Sequence, residues 1–265
     1  MLVFAAIPTF ALALWAAATL LTLILLMRMI ELRRYREYRL FSLYLTINLL
    51  QTVLGVVLYQ VYGFASAFTY RIAWTSQAVV VVARALAVSE VGYLVLGKYK
   101  GVWALATRIL AFSGLLSFCL ALYAGRMSYQ SSVTTLEIGL EACMATGLAG
   151  LFLFARYYRV GISPEFALVG VGFGLFSCFR ILNDLLYERL SRTFGNAWNY
   201  GGSAAFVAVM LVWIWALRKP VAIPMHEPQL RPATAYARLI PQVNERLVAL
   251  NEQLAQIWHV ESPKS

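Results

Sequence analysis

The chain has 265 residues, of which 61% are hydrophobic and only 13% charged, with a formal net charge of +10 and a mean hydropathy of +0.71. A soluble domain carries about 25% charged residues, so this composition excludes a soluble enzyme, a disordered regulator and a fibrous protein. It points to a chain solvated by lipid.

Seven apolar runs long enough to cross a bilayer are expected at about 5–27, 40–62, 72–96, 104–124, 136–156, 165–187 and 199–217. The first has no basic residues before it, and its charges follow the apolar stretch, so it reads as an uncleaved anchor. The fold class expected is all-α: a seven-helix transmembrane bundle over residues 1–219 and a tail over 220–265. Tyr62, Tyr70, Tyr123, Tyr129 and Tyr187 mark one membrane interface; Tyr35, Tyr99, Trp103, Tyr157 and Tyr158 mark the other. Trp213 and Trp215 near the end of the last span read as further anchors.

Of the 22 Lys and Arg residues, fifteen fall in the 28–39, 98–100 and 156–159 connections and in the tail. Arg71, Arg126, Arg189 and Arg192 lie on the other side, while Arg84, Arg108 and Arg180 lie inside spans. The positive-inside rule then places the N-terminus outside and the C-terminus in the cytoplasm of a bacterial inner membrane. The net charge therefore sets topology, and no nucleic-acid partner is expected.

The tail opens with Pro220, Pro224, Pro228 and Pro232, which prevent a continuous helix. An amphipathic helix is expected at about 241–258, with Val243, Leu247, Leu250, Leu254 and Ile257 on one face. Their alternating spacing of four and three suits docking on the bundle or inner leaflet, or binding a cytoplasmic protein partner. A second copy of the chain is a further candidate partner.

Charges inside a bilayer are expensive and mark candidate sites. Glu137 and Glu141 share a face of the fifth span, and Arg180 and Asp184 share a face of the sixth. Similar depths suggest a Glu141–Arg180 pair, with Glu137 and Asp184 in a looser outer layer and Arg84 reaching the same cluster. Glu90 has no cation at its depth; Asn48 is its nearest polar candidate, and a proton-linked or a purely structural role both suit it. The cluster reads either as a pocket for an ion or small solute or as interhelical glue.

Cys119, Cys143 and Cys178 fall in one layer of three spans and serve as packing residues, as soft-metal ligands or as one disulfide. Packing is the reading adopted, so no metal and no cofactor are expected. Gly170 and Gly174 form a close-packing step, and Ala142, Thr146, Gly147 and Gly150 form a small face on the fifth span. Both histidines, His226 and His259, lie in the tail. That removes paired-histidine haem ligation and imidazole-based hydrolysis within the membrane. Asp184 is alone where an intramembrane aspartyl protease needs two aspartates, and the last span has no mid-membrane lysine for a retinal Schiff base.

Several stretches carry a resemblance: Arg33-Arg34-Tyr35-Arg36-Glu37-Tyr38 with Phe41 and Tyr44-Leu45, Glu90, Leu136-Glu137, the 166–174 run, and Leu250-Asn251-Glu252-Gln253-Leu254. Together they are similar to a group of seven-helix inner-membrane proteins found in soil bacteria. The resemblance implies the topology and a part for Glu90 and Glu137, and brings no activity with it. Two functions are expected from the residues: a non-enzymatic sensor or scaffold acting through a protein partner, or a small-solute or proton-coupled carrier using the intramembrane charges.

Overall fold

Where no water reaches the backbone, every N–H and C=O must be satisfied within the chain, and an apolar segment becomes a helix. The computed structural model describes residues 9–63, 66–187, 192–218 and 239–257, and among these residues there are eight α-helices and no strands. They are α1 (Thr9–Glu31), α2 (Arg39–Val61), α3 (Ala67–Leu96), α4 (Lys100–Ala124), α5 (Tyr129–Tyr157), α6 (Pro164–Tyr187), α7 (Arg192–Ala216) and α8 (Leu239–Ile257). The Pro-spaced stretch of the tail lies outside the described residues.

Each of α1 to α6 carries an apolar stretch long enough to cross a membrane. The chain is a multi-pass membrane protein. Among the described residues, α7 contributes a further apolar stretch, Tyr200–Ala216. Exposed Leu20, Leu50, Phe112, Leu115 and Leu153 give the bundle an exterior suited to hydrocarbon.

Helices α3, α4, α5 and α7 begin several residues before their apolar runs. Polar first turns do not obstruct a helix that has a cap. The Ser66 hydroxyl accepts the Phe68 N–H at 3.3 Å, and the Ser128 hydroxyl accepts the Ser131 N–H at 3.0 Å. The α6 start combines Ser163, which accepts the Phe166 N–H at 3.3 Å, with Pro164 at the first helical position.

The helices pack in a series in which α1 lies on both α2 and α7, α6 on α5 and α7, and α4 on α5. Helix α3 fills the middle, touching α2, α4, α5 and α6. Its apolar stretch is accordingly 50% buried, more than in any other spanning helix. The α1–α2, α3–α4 and α5–α6 connections and the end of α7 share one end of the bundle, here the basic end.

Near that end Tyr38, Phe41 and Tyr44 from α2 and its lead-in meet Phe173 of α6 and Trp213 of α7, all fully buried. Phe173 and Trp213 ring centroids are 4.5 Å apart, Phe41 and Trp213 4.9 Å, and Phe41 and Phe173 5.4 Å. Trp213 is therefore a core residue and not the expected interfacial anchor; Trp215 is the exposed one. The buried Trp213 indole N–H donates to the Val169 carbonyl at 3.2 Å, and that approach needs Gly172. A Cβ there would lie 2.4 Å from the indole nitrogen. Gly170 and Gly174 turn instead toward Phe152 and Leu148 of α5. The small face expected on α5 for close packing is exposed at Ala142, Thr146, Gly147 and Gly150, with Gly147 beside Leu110 of α4.

Candidate functional site

Intramembrane charge requires partners, and the partners differ from those expected. The guanidinium of Arg84 on α3 is ion-paired with Glu141 of α5, both side chains being buried. Arg180 of α6 is ion-paired with Glu137 instead, and its Nε donates to Glu137 Oε1 at 3.0 Å. Asp184 is a loose neighbour, 3.9 Å from the Arg180 guanidinium. The expected Glu141–Arg180 pair is thus replaced by two pairs one turn apart, because central α3 brings Arg84 directly against α5.

Neutral amides extend this network across the bundle. Gln77 of α3 donates to Glu137 at 3.1 Å, and Gln51 of α2 donates to Gln77 at 3.1 Å. Gln51, Gln77, Glu137 and Arg180 therefore link α2, α3, α5 and α6. Gln51 and Gln77 are absent from the site expected from sequence; their signal is a polar amide within an apolar span. Removing one member of a buried ion pair costs about 3–5 kcal/mol, so the network holds the helices in register.

Beside it lies a half-open cavity of about 350 Å³ lined by residues of α1, α2, α3, α6 and α7. Arg84 and Arg180 line it together with Asn48, Gln51, Gln77 and Asn183. Thr19, Thr22, Thr52 and Ser203 add hydroxyls, and Trp15, Phe176 and Phe206 add aromatic wall. Among the described residues no carboxylate borders the cavity, since Glu137 and Glu141 sit behind the two arginines on α5. The Arg84 guanidinium also lies 4.7 Å from the Phe176 ring centroid and 5.7 Å from that of Tyr44, a favourable arrangement for a desolvated cation. These positions run from mid-helix (Thr22, Asn48, Arg84, Phe206) toward the end away from the basic one, and the buried aromatic cluster lies on the basic side.

Glu90 lies elsewhere. Its two carboxylate oxygens accept the backbone N–H groups of Leu40 at 3.0 Å and Phe41 at 2.9 Å. Helix α2 has no capping side chain of its own, since Tyr38 stands at its N-cap. Glu90 of α3 supplies that cap from the neighbouring helix, where a carboxylate is also favoured by the helix dipole. Asn48, the expected neighbour of Glu90, lines the cavity instead.

At the basic end Arg34, buried in a 3₁₀ turn between α1 and α2, donates to Glu165 in the first turn of α6 at 2.7 Å and lies 3.4 Å from Glu37. Burial works against its charge, but the hydrogen bond and charge of Glu165 outweigh it and hold the guanidinium above its ordinary range. Burial holds the Glu37 carboxyl above the usual carboxylate range despite the neighbouring Arg34.

Helix α8 docks on α4. Leu247 is buried and Leu254 half-buried, whereas Leu250 is exposed; the side chains of Val243 and Ile257 lie outside the described set. The Asn251 side chain accepts the Gly101 N–H at 2.7 Å, capping the start of α4 from the tail. Contact is close because residue 101 is glycine: a Cβ would lie 2.5 Å from the Asn251 carbonyl oxygen.

Cys119 and Cys178 are exposed on the bundle and Cys143 is half-buried, all three as free thiols. The Ser117 hydroxyl approaches the Cys143 sulfur at 4.0 Å. Compared with known proteins, the chain matches no family model, no curated protein and no solved structure.

Proposed function

We propose that this chain is a non-enzymatic solute sensor of a bacterial inner membrane, with seven crossings, its N-terminus outside and α8 in the cytoplasm. The observation that carries the reading is the cavity of about 350 Å³, which is lined by arginines, amides and hydroxyls and reaches from mid-bundle toward the end away from the basic one. Pockets of about 300–1,000 Å³ suit small molecules. Apolar packing alone would leave no such polar space.

A carrier also needs a route out on the far side. Below the cavity stand Phe41, Tyr44, Phe173 and Trp213, all fully buried. Below them the Arg34–Glu165 ion pair joins the α1–α2 turn to α6. This closed half favours sensing over transport. The docked α8 leaves Val248 and Leu250 exposed, a surface through which a cytoplasmic protein would read the state of the bundle.

The test is reconstitution of the full chain into vesicles with a panel of small organic acids, amino acids and polyols. Saturable binding without uptake is the expected result. Uptake of a bound solute would make the chain a carrier, and the sensor reading would then fail.

A further inference from the structure

We infer that the basic end of the bundle binds the anionic headgroups of the lipid leaflet around it, through arginines of the α1–α2 and α5–α6 connections. The inference goes beyond the solute reading and does not depend on what the cavity holds. It starts from the backbone. Helices α1, α2 and α5 each place the second residue past the helix in the left-handed region: Arg33 (φ 53°), Gly63 (φ 74°) and Arg159 (φ 51°). Glycine is favoured there, because a Cβ crowds the backbone in this conformation. Gly63, at the end away from the basic one, follows that preference.

At the basic end arginine stands in glycine's place twice, and these two are the only non-glycine residues with positive φ among the described residues. The turns themselves do not require arginine. Their closing hydrogen bonds are backbone ones, the Arg33 N–H donating to the Ile30 carbonyl at 3.0 Å and the Val160 N–H to the Ala155 carbonyl at 2.9 Å. Topology does not require it either, since a basic residue at any nearby position satisfies the positive-inside bias. A side chain held where the backbone disfavours one points to a function for that side chain.

Charge gives the second observation. The two connections adjoin: the Arg34–Glu165 ion pair joins them at 2.7 Å, and the Tyr38 and Phe166 rings lie 5.6 Å apart. Glu37 and Glu165 both turn to buried Arg34. Over residues 31–39 and 156–165, Glu31 is then the one exposed acid, against exposed Arg33, Arg36, Arg39, Arg156 and Arg159.

Depth decides the partner. Tyr35 and Tyr157 are exposed among these arginines, and amphipathic rings of this kind settle at the level of lipid headgroups. Guanidiniums at that level meet the phosphates of the leaflet directly and form charge-assisted hydrogen bonds with them. A soluble acidic protein would have to displace those headgroups first.

The experiment uses the full chain in a neutral detergent, mixed with equal amounts of phosphatidylglycerol and phosphatidylcholine. Native mass spectrometry counts the lipids retained. Phosphatidylglycerol is expected to be favoured about tenfold or more, the effect of two or more arginines near an anionic headgroup. Arg33→Gly combined with Arg159→Gly should bring the two lipids close to equality, while the melting temperature stays the same or rises because glycine relieves the left-handed positions. Arg33→Asn with Arg159→Asn, which also tolerates that conformation, should behave alike. Arg71→Gln with Arg126→Gln, at the opposite end, should keep the preference.

Equal retention of the two lipids by the unsubstituted chain would overturn the inference and leave the basic end to an acidic protein. A preference unchanged in the glycine variant, or lost as fully in the opposite-end variant, would overturn it too. Displacement of the retained lipid by inorganic phosphate would make this a site for a free anion instead. A preference lost together with a lowered melting temperature in both the glycine and asparagine variants would assign the two arginines to the fold alone.

Discussion

Glu90 is the residue whose role changes most on folding. A lone carboxylate in an apolar span suits a proton-linked or a structural role, and both of its oxygens are occupied by the Leu40 and Phe41 N–H groups. Its role is to begin α2. Glu90→Ala should therefore destabilise the bundle by about 1–2 kcal/mol, the usual value of a lost N-cap, with Glu90→Gln recovering part of the loss. Reversible unfolding in mixed micelles measures this, and a larger loss in solute response than in stability would restore a functional role to the residue.

Glu37 gives the pH-dependent counterpart. Burial holds its carboxyl above the usual range, so it keeps a proton in the folded chain at pH values where the unfolded chain has released it. Its contribution favours folding while both states are protonated and becomes unfavourable as pH rises past the unfolded value toward the raised one. Glu37→Gln should raise the melting temperature near pH 7 and leave it nearly unchanged near pH 4, where carboxyls are largely protonated. A scan of melting temperature against pH reads both.

At the scale of elements, two helices start with help from outside. Helix α2 is capped by Glu90 of α3, and α4 by Asn251 of α8. The second of these makes the tail helix part of the bundle. Asn251→Ala removes the cap and Gly101→Leu removes the room for α8. The first should cost about 1 kcal/mol; the second should detach α8 altogether. Limited proteolysis of the tail, with mass spectrometry of the fragments, checks both. Cleavage at the same rate in all three chains would show that α8 is held by other contacts. Capping from another element is not visible in the sequence, because a cap is normally sought within a few residues of the helix start. Neither Tyr38 nor Tyr99 there provides one.

For the whole molecule, the charge bias gives the orientation test. Fifteen of the 22 basic residues gather at one end and in the tail. Cysteines introduced at Lys98 and Arg156, in a cysteine-free background, should react with a membrane-impermeant reagent only in inverted vesicles. One at Arg126 should react in intact cells. The reverse pattern would turn the protein over and place the cavity on the cytoplasmic side.

Long apolar runs and the placement of basic residues are sums over neighbouring positions, so the membrane class, the approximate helix positions and the basic end are all legible in the linear chain. The candidate site was legible only in its members: Arg84, Glu137, Glu141 and Arg180 were identifiable as intramembrane charges, their partners were not. Which residue meets which depends on how each helix is rotated about its axis and how far it slides along its neighbour. A shift of one turn, ~5.4 Å, changes the partner of Arg180 from Glu141 to Glu137. In hydrocarbon, lipid-facing and protein-facing sides are both apolar, so periodicity gives little guide to rotation: the small face of α5 points outward and Trp213 points inward. Only the assembled bundle, with α3 at its centre, settles the two ion pairs, the cap that Glu90 provides and the polar cavity that Arg84 and Arg180 line.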